Sequence, residues 1–421
     1  MFISERLVRI SLITRQVGLM NNIEELDIAI IGAGILGLSV AKSLLTEHPD
    51  LRIFLFEKED NLGAHSSGRN SGVLHAGFYY SHDSLKAKFC SEGNFELRDF
   101  CLRKDITIKE LGKVVVTTNE IEEERLLTLY ERGIENKIDI ELLPSKLLEK
   151  IEPLARTFKN FIWSPNTAVS DPKKVIESMA HDVAELGGLI LLKHSVEFDA
   201  SENILFSGEK KLRYTHLVNT AGSQADRIAH IFGFGKDLTM VPFMGVYRST
   251  SIDLLPLQRL VYPVPNPINP FLGVHFTISI HGDVKIGPTA IPLLNREQYS
   301  FNENWEVADV LDSARGMLSM LRGNHHDFPE IMRTEFPKMI KSKLVDSASK
   351  LVPKAQSIRH WKKKPPGIRS QLVDLRTGKL VNDFLIQGDS RSTHVLNVVS
   401  PGWTAALPFG KHIAKLAMTH L

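Results

Sequence analysis

A block of apolar residues, Ile28-Ala-Ile-Ile31, gives way to Gly32, Gly34 and Gly37 and then to small and apolar residues through Ala41. This pattern predicts a buried strand, a tight turn and a helix, and Phe54-Leu-Phe-Glu57 predicts a second strand ending in a carboxylate. A helix is expected over 84–104, with Leu85, Phe89, Phe95 and Phe100 among its apolar positions. A strand over Lys113–Thr118 and an acidic helix over Ile121–Gly133 follow. Another helix, over about 172–187, closes at Gly187-Gly188, and Leu189–Leu192 reads as a strand. Tyr214–Gly222 is a hydrophobic strand ending in small residues, with a helix starting near Gln224.

The remainder is less regular. The block Val261-Tyr-Pro-Val-Pro-Asn-Pro-Ile-Asn-Pro270 is too rich in proline for regular helix or a central strand. Phe271–Thr277 and Gly282–Gly287 pattern as paired antiparallel strands, and helices are expected around 304–322 and 338–351. The chain then returns to strand His394–Val399, loop Ser400–Thr404 and a closing helix. No internal repeat is visible. The order predicts an α/β protein, with a Rossmann-like nucleotide domain in three segments (26–84, 170–235 and 365–421). Interleaved with it is an α+β substrate domain built on an antiparallel sheet (85–169 and 236–364), and residues 1–25 form an N-terminal extension.

The glycine turn carries the first chemistry. Gly32 permits the sharp turn, Gly34 lets backbone approach a pyrophosphate, and Gly37 lets the helix pack close on the strand. The helix N-terminus offers N–H groups to phosphates. Glu57, twenty residues beyond Gly37, is placed for a ribose diol. An acid there suits NAD or FAD and disfavours NADP.

At 421 residues the chain exceeds one ordinary core, and 43% hydrophobic with 24% charged residues is a globular composition. A net charge of +2 gives no sign of a nucleic-acid binder. Cys90 and Cys101 have no metal spacing and read as reduced thiols of a cytosol-like compartment. No apolar run reaches the ~18 residues of a membrane span. Met1–Met20, with Arg6, Arg9 and Arg15 against Glu5, reads as an extension preceding Met20 rather than an organelle presequence. His325-His326-Asp327 lacks a further spaced ligand, and no metal site is expected.

The segments GAGILGLSVA, GRNSGVLHAGFYY, SLKAKFC, LVNTAGSQADRIA, YPVPNPINPFLGVHFT, GIRSQL and SPGWTAAL occur in this order. In them the chain resembles the FAD-dependent L-2-hydroxyglutarate dehydrogenases/oxidases, of the D-amino-acid oxidase and glycerol-3-phosphate dehydrogenase superfamily. The resemblance runs from about Leu26 to the C-terminus. It implies FAD, held by Gly32, Gly34, Gly37, Glu57 and Lys58, by the loop residues Ser66, Ser67, Arg69, Asn70 and Ser71, and by Ala221 and Gly222. Gly402, Trp403 and Thr404 would meet the pyrimidine end of the flavin, and Val196 would present backbone to the adenine side. His75 is the implied base, taking the hydroxyl proton as hydride moves to flavin. His275 would orient substrate or transfer a proton, and Arg369 would hold its carboxylate through a bidentate fork.

The pattern is not followed everywhere. Arg69 stands where the family has His, and Met244 and Val246 stand where it has Arg and Glu. Losing that arginine weakens the expectation of a dicarboxylate. The expected function is oxidation of a small 2-hydroxy acid, with L-2-hydroxyglutarate to 2-oxoglutarate as the first candidate. The alternatives are an amine-side enzyme resembling glycine or sarcosine oxidase and a non-catalytic flavin-binding subunit. Expected partners are the carboxylic-acid substrate and an electron acceptor: oxygen, a quinone or a protein carrier. The expected location is cytoplasmic, with peripheral contact to the inner membrane left open.

Overall fold

The computed structural model describes residues 23–266, 271–300, 305–323 and 328–419. Most of the expected extension and His325-His326-Asp327 lie outside these residues. Two large sheets organise the rest.

In the first sheet, Glu24–Ile31 is flanked by parallel strands Ile53–Glu57 and Lys210–Asn219, with Leu189–Leu192 beyond the former and Ser392–Asn397 beyond the latter. Strands from three distant stretches of chain therefore lie side by side. Their apolar runs are continuous because both faces are covered, as parallel sheets require. On one face Ile28, Ile30, Leu38, Phe89, Leu97, Val183, Phe409 and Ile413 pack into one buried cluster. Each such side chain contributes roughly 1.5–3 kcal/mol on burial. The helices supplying it are Ile35–Glu47, Leu85–Arg103, Pro172–Glu185 and Gly402–Met418. Local capping fixes their starts: Ser84 accepts from Ala87 N–H, and Asp171 accepts from Lys173 and Lys174 N–H ahead of Pro172.

The second sheet has nine strands, dominated by the long antiparallel pair Leu238–Ser251 and Lys362–Asp374. His275–Ile278 and Asp283–Gly287 pair as expected. Several features differ from the sequence reading. Leu260–Pro263, at the start of the proline-rich block, is an interior strand between Lys113–Val116 and His275–Ile278. Its one proline closes the strand, where a missing N–H is tolerated. Lys362–Asp374 runs unbroken across the position expected to divide the domains at 364/365, and Leu85–Arg103 buries its apolar face against the first sheet's core. Phe95, expected among the apolar positions of that helix, is 62% exposed, because Phe89, Leu97 and Phe100 supply the packed face. Helix Val307–Gly323 is followed by an unexpected short helix, Phe328–Glu335. No described helix is long and apolar enough to cross a membrane.

Candidate functional site

The turn after Glu24–Ile31 is built so that only glycine fits. Gly32 has φ +96°, and a Cβ on Gly37 would stand 2.0 Å from Gly32 O. Thr220 Oγ1 donates to Ile31 O and Gly32 O at 3.0 Å each, tying the neighbouring strand end to the turn. At the N-terminus of Ile35–Glu47, Ser67 Oγ accepts from Ile35 N–H at 3.1 Å. Glu57 Oε2 accepts from Ala33 N–H at 3.2 Å. A carboxylate, a hydroxyl and free helix N–H groups thus surround one point, the arrangement a pyrophosphate and ribose need.

From that point opens a cavity of about 320 Å³ between the two sheets. Gly34, Ser66, Ser67, Arg69, Asn70, Ser71 and Gly222 line it on the first-sheet side. The loop among them is internally bonded: Asn70 Oδ1 accepts from Gly72 N–H, and Ser66 Oγ donates to Ile368 O at 3.2 Å. The second bond ties the loop to the strand carrying Arg369.

His75, His275 and Arg369, more than 90 residues apart from one another in sequence, line the same cavity. The backbone of His75 is pinned, its N–H donating to Thr404 Oγ1 at 3.1 Å and its carbonyl accepting from Asn94 Nδ2 at 3.1 Å. Its Nδ1 is buried and, among the described residues, has no hydrogen-bond partner. Burial, with smaller contributions from Lys113 and His275, lowers its pKa to about 3. His275 Nδ1 lies 2.8 Å from Gly273 O, so that nitrogen carries the proton and Nε2 keeps the lone pair. Burial lowers its pKa to about 4. Both imidazoles are therefore neutral near pH 7.

Arg369 pairs with Phe243 in the sheet and holds its guanidinium 4.8 Å from the Phe271 ring. Among the described residues its Nε has no hydrogen-bond partner. Burial draws its pKa down to about 10, which leaves it cationic, with Tyr80 and Tyr247 nearby. A desolvated cation without a carboxylate partner is a binding site for an anion brought from outside.

Gly402 and Trp403 line the cavity at the start of helix Gly402–Met418, and Trp403 Nε1 is unpartnered. Thr404 is different: it is fully buried, and its hydroxyl donates to Val73 O at 3.2 Å while accepting from His75. It holds His75 in place and does not line the cavity. Gly32, Gly37 and Ala221 also sit behind the lining, as backbone of the turn. Lys58 is outside the lining too; its Nζ donates to Glu59 at 2.5 Å and Glu297 at 2.6 Å. Val196 packs beside the Leu26–Phe56 cluster, also away from the lining.

Sequence reasoning missed Tyr247, Tyr262, Met240 and Phe243, which form apolar and aromatic wall of the cavity. Tyr262 lies in a block whose prolines and family resemblance give its ring no role of its own. Lys113, buried behind Tyr262, carried no signal, since a lysine opening a hydrophobic strand ordinarily faces solvent. Close-approach glycines, a donor-rich loop, aromatic walls and unpartnered polar atoms on His75, Arg369 and Trp403 together fit an extended dinucleotide with a planar redox ring.

Comparison with known proteins gives the same answer. The family model described as FAD dependent oxidoreductase matches residues 27–416. L-2-hydroxyglutarate dehydrogenase of Salmonella houtenae is 35% identical over 399 residues, covering 92% of each chain. The mitochondrial L-2-hydroxyglutarate dehydrogenase of Homo sapiens is 34% identical, with 92% of this chain and 88% of that one covered. Among solved structures, the L-alpha-glycerophosphate oxidase of Mycoplasma pneumoniae with FAD bound superposes with TM-score 0.73 at 22% identity, over 95% of both chains. Glycine oxidase of Geobacillus kaustophilus gives 0.69 at 18%, over 94% of this chain and 96% of that one. These two likenesses establish the fold.

Proposed function

The chain belongs to the FAD dependent oxidoreductase family and, within it, to the L-2-hydroxyglutarate dehydrogenases, and we propose that it converts L-2-hydroxyglutarate to 2-oxoglutarate. It is an FAD-dependent enzyme that oxidises a 2-hydroxy acid. The observation that carries the substrate assignment is the convergence of unpartnered Arg369 with neutral His75 and His275 on one desolvated cavity.

In this reading Arg369 holds the carboxylate next to the reacting carbon and fixes which hydrogen is presented. His75 accepts the hydroxyl proton as the carbon–oxygen bond gains double-bond character. His275, whose Nδ1–H is committed to Gly273, keeps the lone pair on Nε2 and is the alternative acceptor for that one proton. FAD, held by the Gly32–Gly37 turn, Glu57, the Ser66–Ser71 loop and the Gly402–Trp403 junction, supplies the two-electron acceptor for the hydride. The apolar walls exclude water, which strengthens each of these polar interactions.

Met244, standing where the family has arginine, packs with Ile291, Leu293 and Ile368 and does not line the cavity. The exchange therefore leaves the Arg369 anchor intact. The test is anaerobic mixing of holoenzyme with a panel of 2-hydroxy and 2-amino acids. Bleaching by L-2-hydroxyglutarate is expected; bleaching by glycine or sarcosine alone would transfer the protein to the amine-side reading.

The acceptor we assign is a membrane quinone, reached by a cytoplasmic enzyme resting on the inner membrane. Supporting this, Val307, Leu311, Leu318 and Leu321 of helix Val307–Gly323 are 74%, 53%, 46% and 48% exposed, spaced to form one stripe. Arg315 and Arg322 are exposed on the same helix, a cationic complement to anionic lipid. Co-sedimentation with anionic vesicles, lost in Leu311→Ser/Leu318→Ser, would support this; equal pelleting of that variant would refute it.

A further inference from the structure

Lys113 is fully buried, and among the described residues its Nζ has no hydrogen-bond partner. Instead Nζ lies 4.4 Å from the Tyr79 ring centroid, 4.5 Å from that of Phe78 and 5.1 Å from that of Tyr262. An ammonium in such a cage is held by the ring faces but receives far less than water would give it. Tyr262 connects this cage to the catalytic cavity: its ring stacks on His275 at 3.9 Å and meets His75 edge-on at 6.5 Å.

The titratable groups facing Lys113 come from every element around it. The segment after Val73–Leu74 brings His75 and Tyr79, helix Leu85–Arg103 brings Cys90, and the adjoining strands bring Tyr262 and His275. Among the described residues no carboxylate acts on it. Two buried cations this close, with no anion between them, repel strongly.

Building on the assignment of His75 as base, we propose that Lys113 is a positioning residue that carries the single positive charge of the Lys113–Tyr262–His75–His275 cluster and thereby decides when His75 can take a proton. With Lys113 charged, an imidazolium at His75 is opposed by the ammonium behind Tyr262. With Lys113 uncharged, its proton released to solvent, that opposition is gone. The substrate O–H then breaks as the N–H on His75 forms. Burial supports this, since it brings Lys113 down to about pKa 7, within the working range, while both histidines stay neutral.

The proposal is tested on the holoenzyme by two readouts. In wild-type protein carrying 13C-labelled histidine, the ring signals of His75 and His275 should shift near pH 7 although neither ring gains a proton there. Absence of that shift would overturn the proposal without any variant. In parallel, the rate constant of flavin reduction by L-2-hydroxyglutarate should rise several-fold through pH 7. Lys113→Met should abolish the inflection and leave a flat profile from pH 6 to 9. Lys113→Arg, permanently charged, should be slow throughout. A Lys113→Met enzyme retaining the wild-type inflection would also overturn it. If His75→Gln reduces flavin at the wild-type rate while the histidine shift at pH 7 remains, the base assignment fails and the coupling of Lys113 to the cluster stands.

Discussion

Arg296 and Asp226 form an ion pair across the junction of the two sheets with only 1% and 0% of their side chains exposed. Arg296 Nη2 donates to Asp226 Oδ2 at 2.8 Å, and Nη1 donates to Ser223 O at 2.7 Å. Asp226 Oδ2 also accepts from Met240 N–H at 2.9 Å. Ser223, in the turn after Lys210–Asn219, and Met240, in Leu238–Ser251, both line the cavity. The pair therefore fixes the spacing of the two walls between which the substrate reacts.

Removing one partner of such a pair leaves a buried charge uncompensated, which costs about 3–5 kcal/mol. Arg296→Ala should accordingly lower stability by that order in urea titration. Arg296 also meets Asp312 at 3.1 Å and buried Asp309 at 3.6 Å, both shared with Arg227, so Arg296→Met combined with Asp226→Asn should recover only part of the loss. If the double variant is no more stable than Arg296→Ala, the interaction is not the paired one described.

The glycine turn gives a sharper expectation. A Cβ at Gly37 would meet Gly32 O, which is backbone and cannot swing away, whereas at Gly34 it would meet Ser67 Oγ at 2.9 Å, which can. Gly37→Ala should be purified largely colourless and should bind FAD at least tenfold more weakly, read by flavin fluorescence quenching. Gly34→Ala should lose less. Full FAD occupancy in Gly37→Ala would show that the helix does not need this close approach.

Much of this site is legible in the chain, and the reasons differ by residue. Gly32, Gly34, Gly37 and Glu57 are readable because turn, helix and strand chemistry all act within one stretch of sequence. The three-segment sheet is readable because buried parallel strands are largely apolar, as in Ile28–Ile31 and Leu217-Val218. His75, His275 and Arg369 needed a family resemblance, since their meeting depends on the packing of two sheets and no local pattern encodes it. Lys113 and the Arg296–Asp226 pair were illegible for the opposite reason. Charged residues are ordinarily solvated, and only the tertiary structure reveals that these are not. Leu260–Pro263 shows the limit of a composition rule: proline excludes the middle of a central strand and not its end.

Arg369 should matter for binding before it matters for chemistry. Its guanidinium lines the cavity, and its buried Nε has no hydrogen-bond partner among the described residues. Losing a desolvated charge-assisted contact costs roughly 2–5 kcal/mol. Arg369→Ala should therefore raise KM for L-2-hydroxyglutarate by about two orders of magnitude or more, and Arg369→Lys should recover only part, lacking the planar fork. Unchanged KM would mean that the carboxylate is held elsewhere.

His75→Gln keeps a polar side chain of similar reach but cannot take a proton. Loss of a positioned base costs typically ~10²–10⁴ in rate. Stopped-flow flavin reduction should slow by that order, with the substrate dissociation constant changing far less. A variant that weakens binding and leaves the limiting reduction rate intact would reassign His75 to orientation, and leave the base to His275 Nε2.

The buried lysine also gives stability a pH dependence whose sign can be worked out. Burial depresses the pKa of Lys113 from the ordinary 10.5 to about 7. Between those values the unfolded chain binds a proton that the folded protein does not, so stability rises as pH rises across this window. Below pH 7 both states are protonated and the cost of the caged charge is fully present. Lys86, also buried and lowered to about 7, adds the same slope in wild type and variant alike. The comparison with Lys113→Met therefore isolates Lys113. The variant should be more stable than wild type at pH 6, by a few kcal/mol at one pKa unit per ~1.4 kcal/mol. That advantage should shrink steadily to a small residue near pH 10. A difference that stays constant from pH 6 to 10 would show that Lys113 keeps an ordinary lysine pKa in the folded protein, and that the cage of Phe78, Tyr79 and Tyr262 solvates it as well as water does.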